Sequence, residues 1–382
     1  MQAAVLREPG QPVRTEMVSL EPPRQGEVLV RVAAAGVCHS DLNLADGLMG
    51  TGRWPLVLGH EGAGVVVAVG DHDTEPRPGD QDAELRPGDH VAFCLVPSCG
   101  RCRACRAGRR TLCEPAARSS LLGTMLDGST RLRDVRGNRL GHAFVVACFA
   151  EYAVVPLAGA VKLPPLIPLW QAALLGCGVV TGFGAVKSAG VGLGDSVCVI
   201  GCGGVGLQVV AAARLAGAGM IIAVDRDAES LERARRRGAT HLVNATSGDP
   251  VETVIAATGG GARYCFEVVG KATTLRDAFE ALAPGGTAIV VGIAPRGTEV
   301  SLPASGFVSE KTIKGCYYGS GETHAALGAY AQMAIDGRLE LSDVISHVIA
   351  LEEVEEALGR LRRGEGSRNV IVIDEQVAGR AS

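Results

Sequence analysis

The chain has 382 residues, a formal net charge of −4 and an aromatic content of 4%. This length exceeds what one ordinary hydrophobic core encloses, and it therefore predicts two domains. The slightly acidic balance and the scarcity of aromatic side chains give no electrostatic or stacking reason to expect nucleic acid or an anionic membrane as a partner.

The first seven residues run directly into strand-like sequence and lack the basic segment, apolar run and cleavage site of a signal peptide. No uninterrupted apolar stretch is long enough to span a bilayer. We therefore expect a cytoplasmic protein without a membrane partner. Twelve cysteines in such a protein indicate metal ligands or reduced thiols rather than disulfides.

The order of apolar runs predicts how the chain is organised. Up to about residue 165, short β-branched runs such as 28–32 and 64–69 lie between Gly and Pro, which is typical of strands broken by turns. From about residue 170, strand-length apolar runs alternate with helix-length segments, which predicts βαβ units and a parallel sheet covered on both faces. The strands predicted in this sheet are 196–200, 220–224, 264–268 and 287–291.

After about residue 320 the pattern is that of an amphipathic helix and a last strand, 369–373. We therefore predict an α/β protein with a β-rich domain over 1–180 and a doubly wound parallel-sheet domain over 181–319. Residues 320–382 then return to the first domain.

A short tetrapeptide repeat interrupts the first domain. Arg-Pro-Gly-Asp at 77–80 recurs at 86–89. Because a surface loop tolerates added residues at little cost, we interpret this segment as a surface insertion rather than a functional repeat.

The run Gly201-Cys202-Gly203-Gly204-Val205-Gly206 matches the G-x-G-x-x-G fingerprint of dinucleotide-binding folds. It follows a predicted strand and opens an Ala-rich helix, whose N-terminus would hold the pyrophosphate. Asp225, nineteen residues past Gly206, would accept hydrogen bonds from the adenosine ribose and repel a 2′-phosphate, which favours NAD over NADP. The adjacent Arg226 weakens that preference. The alternative is a tight βα turn that binds no ligand.

Four cysteines between about 94 and 115 have the spacing C-x₂-C-x₂-C-x₇-C, which suits one tetrahedral metal centre. Zinc and an iron–sulfur cluster are both candidates, but the last spacing and the absence of an adjacent Pro differ from ferredoxin runs. A site with four thiolates has no open coordination position, so it would be structural. Four unliganded thiols are the alternative. The cysteines are Cys99, Cys102, Cys105 and Cys113.

Three further segments, at 36–41, 59–64 and 176–178, are the most specific in the chain. Together they resemble the zinc-binding segments of the medium-chain alcohol dehydrogenases, and the resemblance covers nearly the whole chain. Within that family the chain is most similar to the liver-type and glutathione-dependent formaldehyde dehydrogenase group and to bacterial aryl or primary alcohol dehydrogenases. The resemblance implies a GroES-like catalytic domain, a Rossmann cofactor domain, and a homodimer or homotetramer.

The resemblance also implies a catalytic zinc held by Cys38, His60 and Cys177, in addition to the structural zinc, with a fourth position open to water or alcohol. Zinc would lower the pKa of the alcohol, and hydride would then pass to NAD. Each ligand alone would more often be a buried core residue, but their joint occurrence reverses that expectation.

Several neighbours of these ligands match family positions. Asp41 would fix the tautomer of the ligating imidazole, and Glu61 would approach the metal during ligand exchange. Ser40 would take the substrate proton, and His39 would lie near the cofactor pyrophosphate. Further cofactor contacts are implied for Thr181, Val205, Ile293 and Arg368. Arg368 would bind the pyrophosphate. The alternative interpretation is that Arg368 is a solvated surface arginine.

Two departures from the family pattern affect the predicted reaction. Asn43 stands where liver-type enzymes have the histidine that ends the proton relay, and Asn cannot act as a base, so the proton would leave through water or another group. The residues that grip glutathione are not recognisable around 48–53, and Arg118 is only an approximate match.

The predicted function is therefore reversible oxidation of a primary alcohol by NAD. The alternative is a formaldehyde dehydrogenase acting on S-(hydroxymethyl)glutathione or another thiol adduct. A third hypothesis, a zinc-free relative without catalytic activity, is disfavoured by the three ligands. The implied substrate channel is mostly apolar, which favours an uncharged aliphatic or aromatic alcohol, although a core-packing role is the alternative for each residue. These residues are Leu95, Phe144, Ile293, Ala294 and Tyr317.

Overall fold

The computed structural model describes residues 1–49, 54–70 and 85–379. It divides into two compact units, one formed by Met1–Cys177 with Glu322–Ser382 and the other by Gly178–Gly321. The boundaries expected at 180 and 319 lie within three residues of these. Most of the expected surface insertion, 71–84, lies outside the described residues.

The strands of the described chain are short in the first half and more regular in the second. The first unit contains the first ten and the last two, and the second unit contains the others. In chain order they are β1 (Gln2–Leu6), β2 (Arg14–Leu20), β3 (Glu27–Val37), β4 (Leu56–Val57), β5 (Glu61–Val69), β6 (His90–Phe93), β7 (Leu132–Asp134), β8 (Arg139–His142), β9 (Tyr152–Pro156), β10 (Ala160–Lys162), β11 (Ser196–Ile200), β12 (Met220–Asp225), β13 (His241–Asn244), β14 (Ala262–Glu267), β15 (Leu282–Val290), β16 (Thr312–Gly315), β17 (Ile345–Ile349) and β18 (Arg368–Val372).

The α-helices vary from a single turn to more than three turns. They are α1 (His39–Ala45), α2 (Arg103–Arg106), α3 (Glu114–Leu122), α4 (Leu169–Ala172), α5 (Gly178–Ala189), α6 (Gly204–Leu215), α7 (Ala228–Arg236), α8 (Pro250–Thr258), α9 (Ala272–Glu280), α10 (Ser305–Val308), α11 (Thr323–Ile335), α12 (Val354–Arg363) and α13 (Glu375–Ala378). Single 3₁₀ turns also occur, including Ala143–Val145 between β8 and β9 and Ala173–Gly176 between α4 and α5.

The first unit combines a small closed barrel with a mixed sheet. The barrel has the order β1-β2-β7-β8-β4, and the sheet has the order β10-β6-β5-β3-β18-β17, with β9 also paired to β3. Strand β18 pairs antiparallel with β3, so Val370 lies opposite Gly36. The C-terminal segment, which was expected to return to the first domain, therefore completes a sheet begun near the N-terminus.

The second unit is a six-stranded parallel sheet in the order β13-β12-β11-β14-β15-β16. The predicted strand 196–200 coincides with β11, and the predicted strands 264–268 and 287–291 each extend one residue past the observed ends of β14 and β15. Its strands are nearly continuously apolar because helices cover both faces. Buried core residues include Cys198, Ile222, Cys265, Phe279 and Ala288.

No single helix among the described residues is long and apolar enough to cross a bilayer. One bent pair, Leu169–Gly176 with Gly178–Ala189, reaches the required length and composition only when both helices are counted together. Most side chains of both helices are buried in the protein.

Candidate active site

The pairing of β3, β5 and β18 gathers one set of polar residues at a common sheet edge. Gly36 near the end of β3 lies opposite Glu61, the first residue of β5. Val37 lies opposite Asn369, which follows Arg368 at the start of β18. The side chains just beyond these strand ends, Cys38 and His60, are therefore brought together by the sheet register.

Three donor atoms converge at this edge. The sulfurs of Cys38 and Cys177 lie 3.9 Å apart, and with a ring nitrogen of His60 they form a buried set within 4.8 Å of one another. His60 Nε2 is buried and has no hydrogen-bond partner among the described residues. Two thiols and one unpaired imidazole nitrogen are the donor set of a catalytic zinc site, so the residues fit the expected metal.

Asp41 orients this donor set through three hydrogen bonds. Its Oδ1 accepts from His60 Nδ1 at 3.0 Å and from the Gly59 amide at 3.3 Å, and its Oδ2 accepts from the Cys38 amide at 3.1 Å. Because the carboxylate is fully buried and accepts from Nδ1, the imidazole presents the lone pair of Nε2 to the metal position.

A buried ion pair adjoins the same donors. Arg368 lies 3.2 Å from Glu61 Oε2 and donates to the Val37 carbonyl at 3.3 Å. Its side chain is only 5% exposed, so the alternative interpretation of Arg368 as a solvated surface arginine is wrong. Although burial lowers the pKa of Arg368, Glu61 and the two thiols raise it above its usual value. The expected contact of Arg368 with a cofactor pyrophosphate stays a prediction.

The surroundings of the Cys38 thiol favour its ionised form. The hydrogen bond with Cys177 and the positive charge of Arg368 hold the pKa of Cys38 well below its usual value despite burial. Burial lowers the pKa of His60, but the Asp41 carboxylate and Cys38 raise it above its usual value. Thiolate character at Cys38 is what a metal ligand requires.

The expected proton-relay residues lie on α1. Ser40 is half-buried, and its hydroxyl lies 3.9 Å from the Cys38 sulfur. Asn43 is half-buried one turn further along the helix, and His39 is exposed. Ser40 is thus beside the metal donors, whereas the route of the proton beyond it stays a prediction.

The five expected substrate-channel residues are divided between the two units. In the first unit Leu95 and Phe144 are buried, and the Phe144 ring lies 4.6 Å from the His60 ring at 51°. In the second unit Ile293 and Tyr317 are each 44% exposed, and Ala294 is half-buried. Of the five, Phe144 is placed directly against a metal donor.

The predicted fingerprint forms the turn between β11 and α6. A Cβ on Gly206 would lie 1.8 Å from the Gly201 carbonyl oxygen, so only Gly permits this close turn. A Cβ on Gly203 would meet nothing within 4 Å, which leaves open space at the N-terminus of α6 for a pyrophosphate. Asp225 ends β12, and its carboxylate accepts from the amides of Cys202 at 2.6 Å and Arg226 at 2.7 Å.

Sequence reasoning missed a second polar residue at this sheet edge. Glu267 ends β14 and is fully buried, and its Oε1 accepts from the amides of Val269 and Gly270 and from the Thr274 hydroxyl at 2.7 to 2.9 Å. Thr181, another expected cofactor contact, is half-buried on α5. A Glu directly after an apolar strand was the signal that could have revealed Glu267.

The four-cysteine lobe forms a second donor cluster in the first unit. Its sulfurs lie within 4.8 Å of one another, and the amides of Cys99 and Cys102 donate to the sulfurs of Cys113 and Cys99 at 3.3 and 3.4 Å. Backbone hydrogen bonds lower the pKa of Cys102 to about 6, and burial raises that of Cys105 to about 12. This cluster fits a tetrahedral ion with no open position.

Comparisons with known proteins agree with this arrangement. The family model described as alcohol dehydrogenase GroES-like domain matches residues 24–165, and the model described as zinc-binding dehydrogenase matches 204–332. An S-(hydroxymethyl)glutathione dehydrogenase from Escherichia coli is 37% identical over 373 residues, which are 97% of this chain and 98% of the relative. The chain belongs to the zinc-dependent medium-chain alcohol dehydrogenase family.

Solved structures of family members confirm the predicted fold. Benzyl alcohol dehydrogenase from Acinetobacter calcoaceticus is 31% identical with a TM-score of 0.90, over 97% of this chain and 99% of that chain. A zinc-binding dehydrogenase from Sinorhizobium meliloti 1021, bound to NADP, is 27% identical with a TM-score of 0.79, over 97% and 98% of the two chains. The chain is therefore an oxidoreductase of the zinc alcohol dehydrogenase type, with a GroES-like and a Rossmann-like domain.

Proposed function

We propose that this dehydrogenase oxidises an uncharged primary alcohol, aromatic or aliphatic, to the aldehyde with NAD as hydride acceptor, and catalyses the reverse reaction. The observation that carries the substrate class is the buried Phe144 ring against the His60 ring. An aromatic wall next to the metal donors favours an apolar substituent on the reacting carbon over a charged one.

The residues of the first unit prepare the reacting position. A zinc ion held by Cys38, His60 and Cys177 would supply the Lewis acid that lowers the pKa of the alcohol. Asp41 holds the imidazole of His60 in one tautomer, and the Ser40 hydroxyl beside Cys38 is placed to accept the substrate proton.

The ion pair of Glu61 and Arg368 balances the charge near the thiols. Two thiolates and a carboxylate in one buried site would repel one another, and the buried guanidinium of Arg368 opposes that repulsion. Arg368 remains protonated throughout the working pH range because its pKa is raised. The ion pair thus leaves neither the Glu61 carboxylate nor the Arg368 guanidinium as an unpaired buried charge beside the thiols.

Support for NAD comes from Asp225. The carboxylate at the end of β12 is fixed by three backbone amides, those of Cys202, Arg226 and Asp227. In doubly wound folds this position lies at the adenosine ribose, where a fixed negative charge repels the 2′-phosphate of NADP. The NADP-bound relative and the exposed Arg226 make a direct comparison of the two cofactors necessary.

A second candidate function is the oxidation of S-(hydroxymethyl)glutathione. It is favoured by the 37% identical relative of that name, which this chain matches over 97% of its length. Arg118, the approximate match to a glutathione-binding residue, is exposed on α3. Residues 50–53, in the other expected segment, lie outside the described part of the chain.

The experiment is a steady-state assay of the zinc-loaded protein that follows formation of reduced cofactor. Benzyl alcohol, hexanol and ethanol are each offered with NAD and with NADP, and formaldehyde is offered with and without glutathione. We expect turnover of benzyl alcohol with NAD in the absence of any thiol. Turnover only when formaldehyde and glutathione are both present would replace the proposal with the second candidate, and a preference for NADP would overturn the cofactor assignment.

A further inference from the structure

The segment from Phe144 to Ala147 has an unusual backbone beside the metal donors. Phe144, Val145 and Ala147 have φ values of 50°, 66° and 55°, in the left-handed region that L side chains rarely adopt. A β-branched residue such as Val145 is particularly unfavourable there because the two methyl groups on its Cβ crowd the backbone. All of these residues are buried, so surrounding structure must hold the segment in place.

Val145 is anchored by its side chain. It is fully buried and packs in a small apolar cluster with Met125 and Val154. Leu20 and Leu29 pack against the same cluster. This packing opposes the rotation that would return Val145 to a relaxed φ.

The other end of the segment is fixed to the chain that leads into His60. The amides of Cys148 and Phe149 donate to the carbonyls of Gly59 and Leu58 at 3.2 and 3.0 Å. Gly59 has a φ of 96°, and a Cβ there would lie 2.5 Å from the Phe149 amide nitrogen. The two chain segments therefore approach as closely as a glycine allows.

The Phe144 ring, on the residue directly before Val145, lies 4.6 Å from the His60 ring. We propose that Val145 is a positioning residue whose anchored, left-handed backbone holds the Phe144 ring against His60 and thereby sets the size of the alcohol accepted at the metal. The substrate part of this inference rests on the proposed function. The backbone part does not.

Two substitutions at one position separate strain from packing. Val145→Ala and Val145→Gly both remove the anchoring side chain, but only alanine retains the left-handed penalty, since Gly populates φ > 0 readily. If Val145 contributed packing alone, the alanine variant would be the more stable, because it retains one methyl group. We expect the reverse order of unfolding temperatures, with Val145→Gly the higher.

The second readout is the ratio of kcat/KM for benzyl alcohol to that for ethanol, which does not depend on the folded fraction of a preparation. In Val145→Ala the left-handed penalty persists without the anchoring side chain that opposed it, so the turn shifts and the ring moves with it. We therefore expect the ratio to change by about tenfold from the parent, whereas Val145→Gly stays within about threefold. Phe144→Ala should change the ratio at least as far as Val145→Ala.

The matched control is Glu310, an exposed residue in the second unit with a φ of 58°. Glu310→Gly should unfold at a higher temperature than Glu310→Ala, with the benzyl-to-ethanol ratio of the parent in both. An unfolding temperature of Val145→Ala equal to or above that of Val145→Gly would overturn the inference, as would a parental ratio in Phe144→Ala. If the parent oxidises neither alcohol, the proposed function fails, and the order of unfolding temperatures still decides whether Val145 is strained.

Discussion

At the scale of single residues, Asp41 shows how one side chain serves several others. The carboxylate is buried and contacts the ring of one metal donor and the backbone of another. Its position three residues past Cys38, in the first turn of α1, makes the backbone contact a local one that sequence spacing could suggest. The contact with His60 depends on strand pairing and could be inferred only through family resemblance.

Replacing Asp41 by Asn should weaken zinc binding at the three-donor site. The side-chain amide of Asn keeps one acceptor oxygen. Its NH₂ group takes the place of the second carboxylate oxygen and therefore faces an N–H group that had donated to that oxygen. We expect zinc affinity at this site to fall by about 10- to 100-fold, measured by competition with a chromogenic chelator. Asp46→Asn is the control, since Asp46 lies near the end of the same helix and pairs with Arg362 instead. Unchanged affinity in Asp41→Asn would contradict the role given to Asp41.

At the scale of elements, the fingerprint turn was the most predictable part of the molecule. The strand β11, the Gly-rich turn and α6 follow one another in sequence, and their geometry depends on local backbone constraints such as the contact of Gly206 with Gly201. Asp225 was also predictable because it ends the next parallel strand, whose register with β11 brings it to the same edge. Glu267 ends β14 in the same way, so its place at this edge could have been predicted, but its contacts could not, because its partners are the backbone amides of a turn that the sequence does not specify.

Replacing Asp225 by Ala should relax the choice of cofactor. Removal of the fixed negative charge abolishes both the ribose hydrogen bonds and the repulsion of a 2′-phosphate, so the NADP-to-NAD ratio of kcat/KM should rise by about tenfold to a hundredfold. Dissociation constants from fluorescence of the reduced cofactors provide a second measure. The control is Asp227→Ala, which removes the N-cap of α7 and should cost about 1 kcal/mol of stability with the cofactor ratio of the parent. A parental ratio in Asp225→Ala would show that this carboxylate does not lie at the ribose.

At the scale of the whole molecule, the metal-donor clusters and the dinucleotide-binding fingerprint lie in different units. Both donor clusters identified among the described residues, the three-donor site and the four-cysteine lobe, belong to the first unit. The fingerprint and Asp225 belong to the second. Metal binding should therefore stabilise the units unequally, because a ligand stabilises the structure that binds it.

Removal of zinc by a strong chelator should loosen the first unit selectively. We expect amide hydrogen exchange, followed by mass spectrometry, to rise in α2, α3 and the chain around Cys38 and Cys177. Peptides covering β11, β12 and β14 should keep the exchange of the zinc-loaded protein. Readdition of zinc is the control for reversibility. Equal loss of protection in both units would mean that metal binding and the parallel sheet form one cooperative structure.

The sequence by itself determined the features that depend on neighbours along the chain. The spacing of four cysteines within fifteen residues and the glycines of the fingerprint constrain local geometry, so their sites could be predicted without knowledge of the fold. The family resemblance added Cys177, which lies 139 residues from Cys38 and has no local signal. The substrate, the cofactor and the oligomeric state stay predictions.

The tertiary structure alone decided the contacts that depend on strand register and close packing. Sheet pairing places Arg368 against Glu61, and no periodicity in either segment indicates that ion pair. The left-handed backbone at Val145 is held by apolar residues from four other parts of the chain, Leu20, Leu29, Met125 and Val154. Valine at this position predicts an ordinary extended residue, because intrinsic preference cannot reveal a conformation that only the surrounding core imposes.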